Sequence, residues 1–154
     1  MIRAYPIVIT FIITSNILHA QSLSVEDQLK HLIEASFDEV WGIYNEDNIR
    51  KYYTDDFLLL ENGEVWNNDS IVSYFNDVIK NNKKLRRVND FTFIDVKVTG
   101  MTAWIAYQFN SVFYKGDKVA RKSSYLESAT AILTDDGWRL DMLHSTRTKH
   151  ELFD

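Results

Sequence analysis

Two periodicities divide the chain. From Val25 to Tyr44 apolar residues return at helical spacing, with Val25, Leu29, Leu32, Ile33, Val40, Trp41 and Tyr44 on one stripe. Ser24 and Asp27 form a Ser-x-x-Asp start signal ahead of that stripe, so the spacing predicts a long first helix. The polar break Asn45 to Asn48 separates it from a short second helix around Ile49 to Tyr53, which Asp55-Asp56 ends. Phe57 to Leu60 reads as a short strand, Asn62-Gly63 as a hairpin turn and Glu64 to Trp66 as the returning strand. Asn68 or Asp69 can then cap a third helix whose apolar face is Ile71, Val72, Phe75, Val78 and Ile79.

From Val88 onward the period becomes two. Strands are expected at Val88 to Val98, Thr102 to Tyr114, Lys118 to Thr134 and Trp138 to about Thr148. Thr99-Gly100, Lys115-Gly116-Asp117 and Asp135-Asp136-Gly137 separate them as turn signals, so consecutive strands should pair as antiparallel hairpins. The expected class is α+β: three N-terminal helices packed on a curved antiparallel sheet. On the last strand, strict alternation puts Trp138, Leu140, Met142 and His144 on one apolar, inward face. A three-residue loop with Gly137 in the left-handed region would set Ser128 opposite His144, and a two-residue loop would set Glu127 there. The first is favoured.

Composition and charge then narrow the function. The chain has 154 residues, 45% hydrophobic, with one proline and no cysteine, which is room for one domain. Residues 1–20 stand apart, because Arg3 is their only charge and Ile7 to Leu18 is almost wholly apolar. That arrangement, ending at Ala20, predicts a signal peptide cleaved before Gln21, leaving a single domain over 21–154. The apolar run is shorter than the roughly 20 residues a spanning helix needs. Export to the periplasm or the medium is therefore expected, with no membrane attachment after cleavage. Loss of Arg3, one positive charge, would take the formal charge from −5 to −6, which argues against nucleic acid as a partner.

The order of these elements resembles the cone-shaped NTF2-like superfamily, within it the SnoaL-like and DUF4440-type domains. The resemblance covers nearly all of residues 24–148. It rests on Tyr53-Thr54-Asp55-Asp56 leading into the first strand and on Gly63-Glu64-Val65-Trp66 before the third helix. It rests above all on Gly137-Trp138-Arg139-Leu140 followed by Leu143-His144-Ser145-Thr146-Arg147. It implies a cone with a pocket between sheet and helices, and often a dimer through the outer sheet face. Within that resemblance, the ketosteroid isomerase pattern places Glu61 at the base position. The tyrosine position falls on Phe37 and the later acid near Ala129 and Thr130. A base without oxyanion donors cannot stabilise an enolate, so steroid isomerisation by that arrangement is not expected.

Two candidate residues remain for acid–base chemistry, Glu61 and His144. The imidazole would end an apolar row at a pocket mouth, where it can exchange a proton near neutral pH. Trp66 at the rim, Glu127 and Ser128 are the expected ligand-binding residues, with Glu127 near His144 in either register. His144 and His150 lie too far apart along a strand to share a metal, and no cofactor is implied. The basic run Lys80, Lys83, Lys84, Arg86 and Arg87 reads as a solvated helix end. The expected function is an exported domain that binds a small, partly apolar molecule, any chemistry being cofactor-free, and that pairs as a homodimer. The alternative is a non-catalytic dimeric interaction module whose cone is filled by its own side chains.

Overall fold

The computed structural model describes residues 23–153, so the predicted signal peptide lies outside the described residues. Helix α1, Val25–Ser36, starts where the Ser24 side chain accepts a hydrogen bond from the Asp27 amide at 3.1 Å. Its face of Leu29, Leu32 and Ile33 is buried. The predicted single helix to Tyr44 does not form. At Phe37–Trp41 the chain widens into a π-turn, in which the Gly42 amide bonds the Phe37 carbonyl at 2.7 Å, five residues back. Gly42 is needed there, since a Cβ would stand 2.5 Å from the Asp38 carbonyl oxygen.

After a 3-10 turn at Glu46–Asn48, helix α2 is the single turn Ile49–Tyr52. Strand β1, Tyr53–Glu61, begins four residues before the expected strand, with Asp55-Asp56 inside it. Asn62 and Gly63 both take positive φ in the tight turn to β2, Glu64–Trp66. Helix α3, Asn68–Lys80, is capped one residue earlier than expected. Asn67 accepts from the Ser70 amide at 2.9 Å, while Asn68 donates to the Thr54 carbonyl and ties the helix to β1. Ile71, Phe75 and Val78 are buried, whereas Ile79 is exposed.

The remaining strands are β3 Arg86–Thr99, β4 Thr102–Lys115, β5 Lys118–Thr134 and β6 Gly137–Leu152, in a single six-stranded sheet ordered β2-β1-β6-β5-β4-β3. Neighbours are antiparallel except β1 and β6, which run parallel, a correction to the all-antiparallel expectation. The pairing follows from the order of elements: β1 is followed by a hairpin and a helix, and the chain returns to its free edge only at the end of the meander. Ile105, Tyr107, Phe109 and Phe113 face the helices and are buried, and Trp104 and Val112 face outward. The core is the layer between that sheet face and the helices, where Leu29, Ile33, Val40, Phe75 and Leu140 are fully enclosed.

The meander is not regular. On β6, Leu140 pairs with Ala131 and Met142 with Thr130, which leaves Asp141 as the extra residue of a β-bulge. A one-residue slip exchanges the two faces of everything beyond it. Leu143 and Ser145 are consequently buried while His144 is exposed. The expectation that His144 ends the inward row is therefore corrected. Ser128 is opposite His144 as expected, but the cause differs: the loop has two residues, with Thr134 paired to Gly137, and the bulge supplies the offset.

Candidate functional site

Four strands place one polar row across the inner face of the sheet. Tyr107 on β4 pairs with Glu127 on β5, Glu127 with Ser145 on β6, and Ser145 with Glu61 on β1. Each step across a sheet is about 4.8 Å, so the two carboxylates stand roughly 10 Å apart at the backbone with a serine between them. Glu127 is only 4% exposed. The Tyr107 hydroxyl donates to its Oε2 at 2.6 Å, and Ser145 stands beside it across the strand pair. Burial pushes the Glu127 carboxyl up to about 7, partly offset by the hydroxyls of Ser145 and Tyr107 and by the charge of Arg87. Burial likewise raises the Tyr107 phenol, and the adjacent carboxylate adds to that shift.

Above this row lies a cavity of about 60 Å³, walled by Phe37, Trp41, Phe57, Phe109 and Leu143. The π-turn supplies the first two walls, Phe37 and Trp41. Trp41 is fixed by its Nε1 donating to the Tyr53 hydroxyl at 2.8 Å, and Tyr53 in turn stacks on Phe57 with ring centres 4.1 Å apart. The cavity adjoins a chamber of about 220 Å³, and Trp41, Glu61, Arg87 and Tyr125 line both. Tyr125 lies flat on Phe109 at 4.6 Å, continuing the aromatic wall toward the mouth.

The cationic side of the chamber comes from rows nearer the mouth. Arg87 on β3 pairs across to Phe113 on β4, and Phe113 to Arg121 on β5. Both guanidinium groups cover the Phe113 ring, at 5.3 Å and 3.6 Å from its centre. Arg87 is held through Nε by Asn89 at 2.7 Å and Ser111 at 3.0 Å. Arg147, paired to Tyr125, adds a third guanidinium to the chamber. Burial raises the Glu61 carboxyl, against the lowering effect of Arg87, Arg147 and Arg121.

Of the residues expected from sequence, Glu61 and Glu127 line the inner cavity, and Trp66 lines the outer chamber, where its Nε1 donates to Glu64 at 2.9 Å. Ser128 and His144 line neither of these spaces, and His144 instead borders, with Glu61, an open depression of about 380 Å³ where β1 ends beside β6. Ser128 and His144 face each other on the outer side of the sheet, where the Asp141 bulge has turned His144 and where alternation from buried Glu127 leaves Ser128. Sequence reasoning missed Tyr107, Arg87, Arg121 and Ser145 as one cluster. Period-two parity was the available signal: Arg87 alternates with Asn89, Phe91 and Phe93, and Arg121 with Ser123, Tyr125 and Glu127. Among the described residues no group of three or more histidines and carboxylates is placed to hold a metal ion.

A curved sheet backed by helices, with a cavity between, is the NTF2-like fold, and the described chain has it. An NTF2-like protein from Cytophaga hutchinsonii superposes with a TM-score of 0.62 at 11% identity, over 80% of this chain and 98% of that one. A ketosteroid isomerase-like protein from Erwinia carotovora atroseptica gives 0.58 at 14% identity, over 81% and 94%. A hexachlorocyclohexane dehydrochlorinase gives 0.64 at 10% identity, over 84% and 88%. Neither a family profile nor a curated relative matches the sequence.

Proposed function

We propose that this chain binds a small, partly apolar molecule between sheet and helices and presents Glu127 to it as a carboxyl that exchanges protons near neutral pH. The observation that carries this reading is the Tyr107–Glu127–Ser145–Glu61 row at the wall of an aromatic cavity. A carboxyl held at about 7 takes or gives a proton at little cost near pH 7, which is what general acid–base work requires. Tyr107 keeps it oriented, and no cofactor is needed. His144 faces away from this row and takes no part in it. Isomerase-like and dehydrochlorinase neighbours share the fold only, at 14% and 10% identity.

The inner space of about 60 Å³ is below the roughly 300 Å³ of ordinary ligand pockets, so the ligand extends into the outer chamber. The same small volume favours a second reading, a cone filled by its own aromatics in a non-catalytic interaction module. Protein-observed NMR with single-ring fragments separates the two. Binding predicts shifts at Trp41, Tyr125 and Ser145 that depend on pH around 7 and lose that dependence in Glu127→Gln. No shift at these residues from any fragment refutes the pocket reading.

Two further proposals concern the whole molecule. It is read as a SnoaL-like or DUF4440-type domain on the motif order of residues 24–148, and as exported after cleavage before Gln21 on the composition of residues 1–20. It is also read as a homodimer through the outer sheet face. There Leu58, Met142, Thr130 and Trp104 form one cross-strand row, with Leu58 41% and Trp104 38% exposed.

A further inference from the structure

Resting on the pocket reading above, we infer that the outer chamber recognises a carboxylate, and that the ligand is a small aromatic monocarboxylic acid. Its carboxylate would lie among Arg87, Arg121 and Arg147, with its ring between Trp41 and Tyr125.

The charge distribution is the first support. The chain carries a formal charge of −5, yet three guanidinium groups meet in one chamber. Two carboxylates share that chamber, Glu61 and Glu64, and among the described residues none of the three arginines forms a salt bridge with any carboxylate. Glu64 is instead bonded to the Trp66 indole at 2.9 Å. Three cations against two anions leave one positive charge in the chamber while Glu127 beneath it holds its proton, a surplus that a monoanion neutralises and a dianion would overshoot.

The second support is the state of the donors. Arg121 Nε is buried with no hydrogen-bond partner among the described residues, a cost that an acceptor in the chamber removes. Arg87 is clamped through Nε by Asn89 and Ser111, which leaves its terminal fork pre-oriented. The two guanidiniums on the Phe113 ring repel each other, and a carboxylate within reach of both offsets that repulsion. The third support is shape. Trp41 and Tyr125 line both the inner cavity and the outer chamber, so a flat ring placed on them brings a substituent within reach of the arginines.

Matched probes test this on the purified protein: benzoate against benzamide, and 1-naphthoate against 1-naphthamide, by calorimetry or NMR titration. The acid of each pair is expected to bind about tenfold or more tightly than its amide, with the preference shrinking as salt rises from about 20 to about 500 mM. Arg121→Gln and Arg147→Gln should each weaken the acids by about fivefold or more and leave the amides unchanged. Lys80→Gln on α3 should change neither. Equal affinity of acid and amide overturns the inference and leaves the pocket reading standing. Acid binding that neither arginine variant weakens overturns it too, since the acid is then held elsewhere. Failure of all four probes to bind overturns both.

Discussion

Replacing Glu127 by Gln should abolish most of the pH dependence of stability between pH 5 and 8.5, and the size of the effect follows from its surroundings. The carboxyl sits at about 7 in the folded protein against 4.5 for the free side chain. Because the folded value is the higher one, the native state binds the proton more strongly than the unfolded state. The resulting stability is fully present below about 4.5 and is lost as pH rises through about 7. At about 1.4 kcal/mol per pH unit of separation, the loss comes to roughly 3 kcal/mol. Burial at 4% exposure leaves little solvent to screen that figure, although rearrangement toward Arg87 can only reduce it. The glutamine keeps an acceptor for Tyr107 and can donate to Ser145. Urea unfolding of both proteins at a series of pH values reads the difference directly. The variant should gain on the wild type by roughly 3 kcal/mol between pH 5 and 8.5. Parallel pH profiles, or a wild type that gains on the variant as pH rises, would refute the assignment of a raised carboxyl at this position.

Tyr107→Phe removes the donor to Glu127 and should cost about 1–3 kcal/mol, more at pH 8 than at pH 5, because the lost bond favoured the ionised form. The same unfolding assay checks it. Gly42→Ala forces a Cβ against the Asp38 carbonyl and should cost roughly 1–3 kcal/mol while also quenching or shifting Trp41 fluorescence as the π-turn opens. Light scattering at micromolar concentration should report a dimer, and Trp104→Lys should return it to monomer; a wild-type monomer contradicts the outer-face assembly. Intact mass of protein recovered from its native host should correspond to a chain starting at Gln21, and retention of residues 1–20 in a membrane fraction contradicts export.

What the sequence revealed depended on whether a feature was local. The turns Asn62-Gly63, Thr99-Gly100 and Lys115-Gly116-Asp117 name their own conformations, because residues that tolerate positive φ stand where the backbone needs it. The strands between them therefore fell within a few residues of their true ends, and Glu61 and Glu127 line the inner cavity with Trp66 in the outer chamber. The misplacements have non-local causes. The Asp141 bulge is a choice between registers made by contacts with β5 and β1, where Asp141 sits within 3.5 Å of the hydroxyls of Thr54 and Thr130. The π-turn at Phe37–Trp41 is invisible to a 3.6-residue template, since it adds one residue without breaking the apolar stripe. Arg87 was hidden by its neighbours: Lys80, Lys83, Lys84 and Arg86 are exposed, and only its parity on β3 sets it apart.

The bulge on β6 also means that this strand encodes two different linings. Beyond Asp141 the inward set is Leu143 and Ser145, and the set facing away is Met142, His144 and Thr146. A phase slip a few residues further along would exchange them, setting an imidazole beside Glu127 where a hydroxyl now stands. The chemistry of the cavity is thus stored in the position of a backbone irregularity as much as in the identity of any side chain. Insertions or deletions between Leu143 and Arg147 should consequently reprogram the site more deeply than point substitutions there, whereas removal of Asp141 itself leaves every cross-strand partner of Glu127 in place.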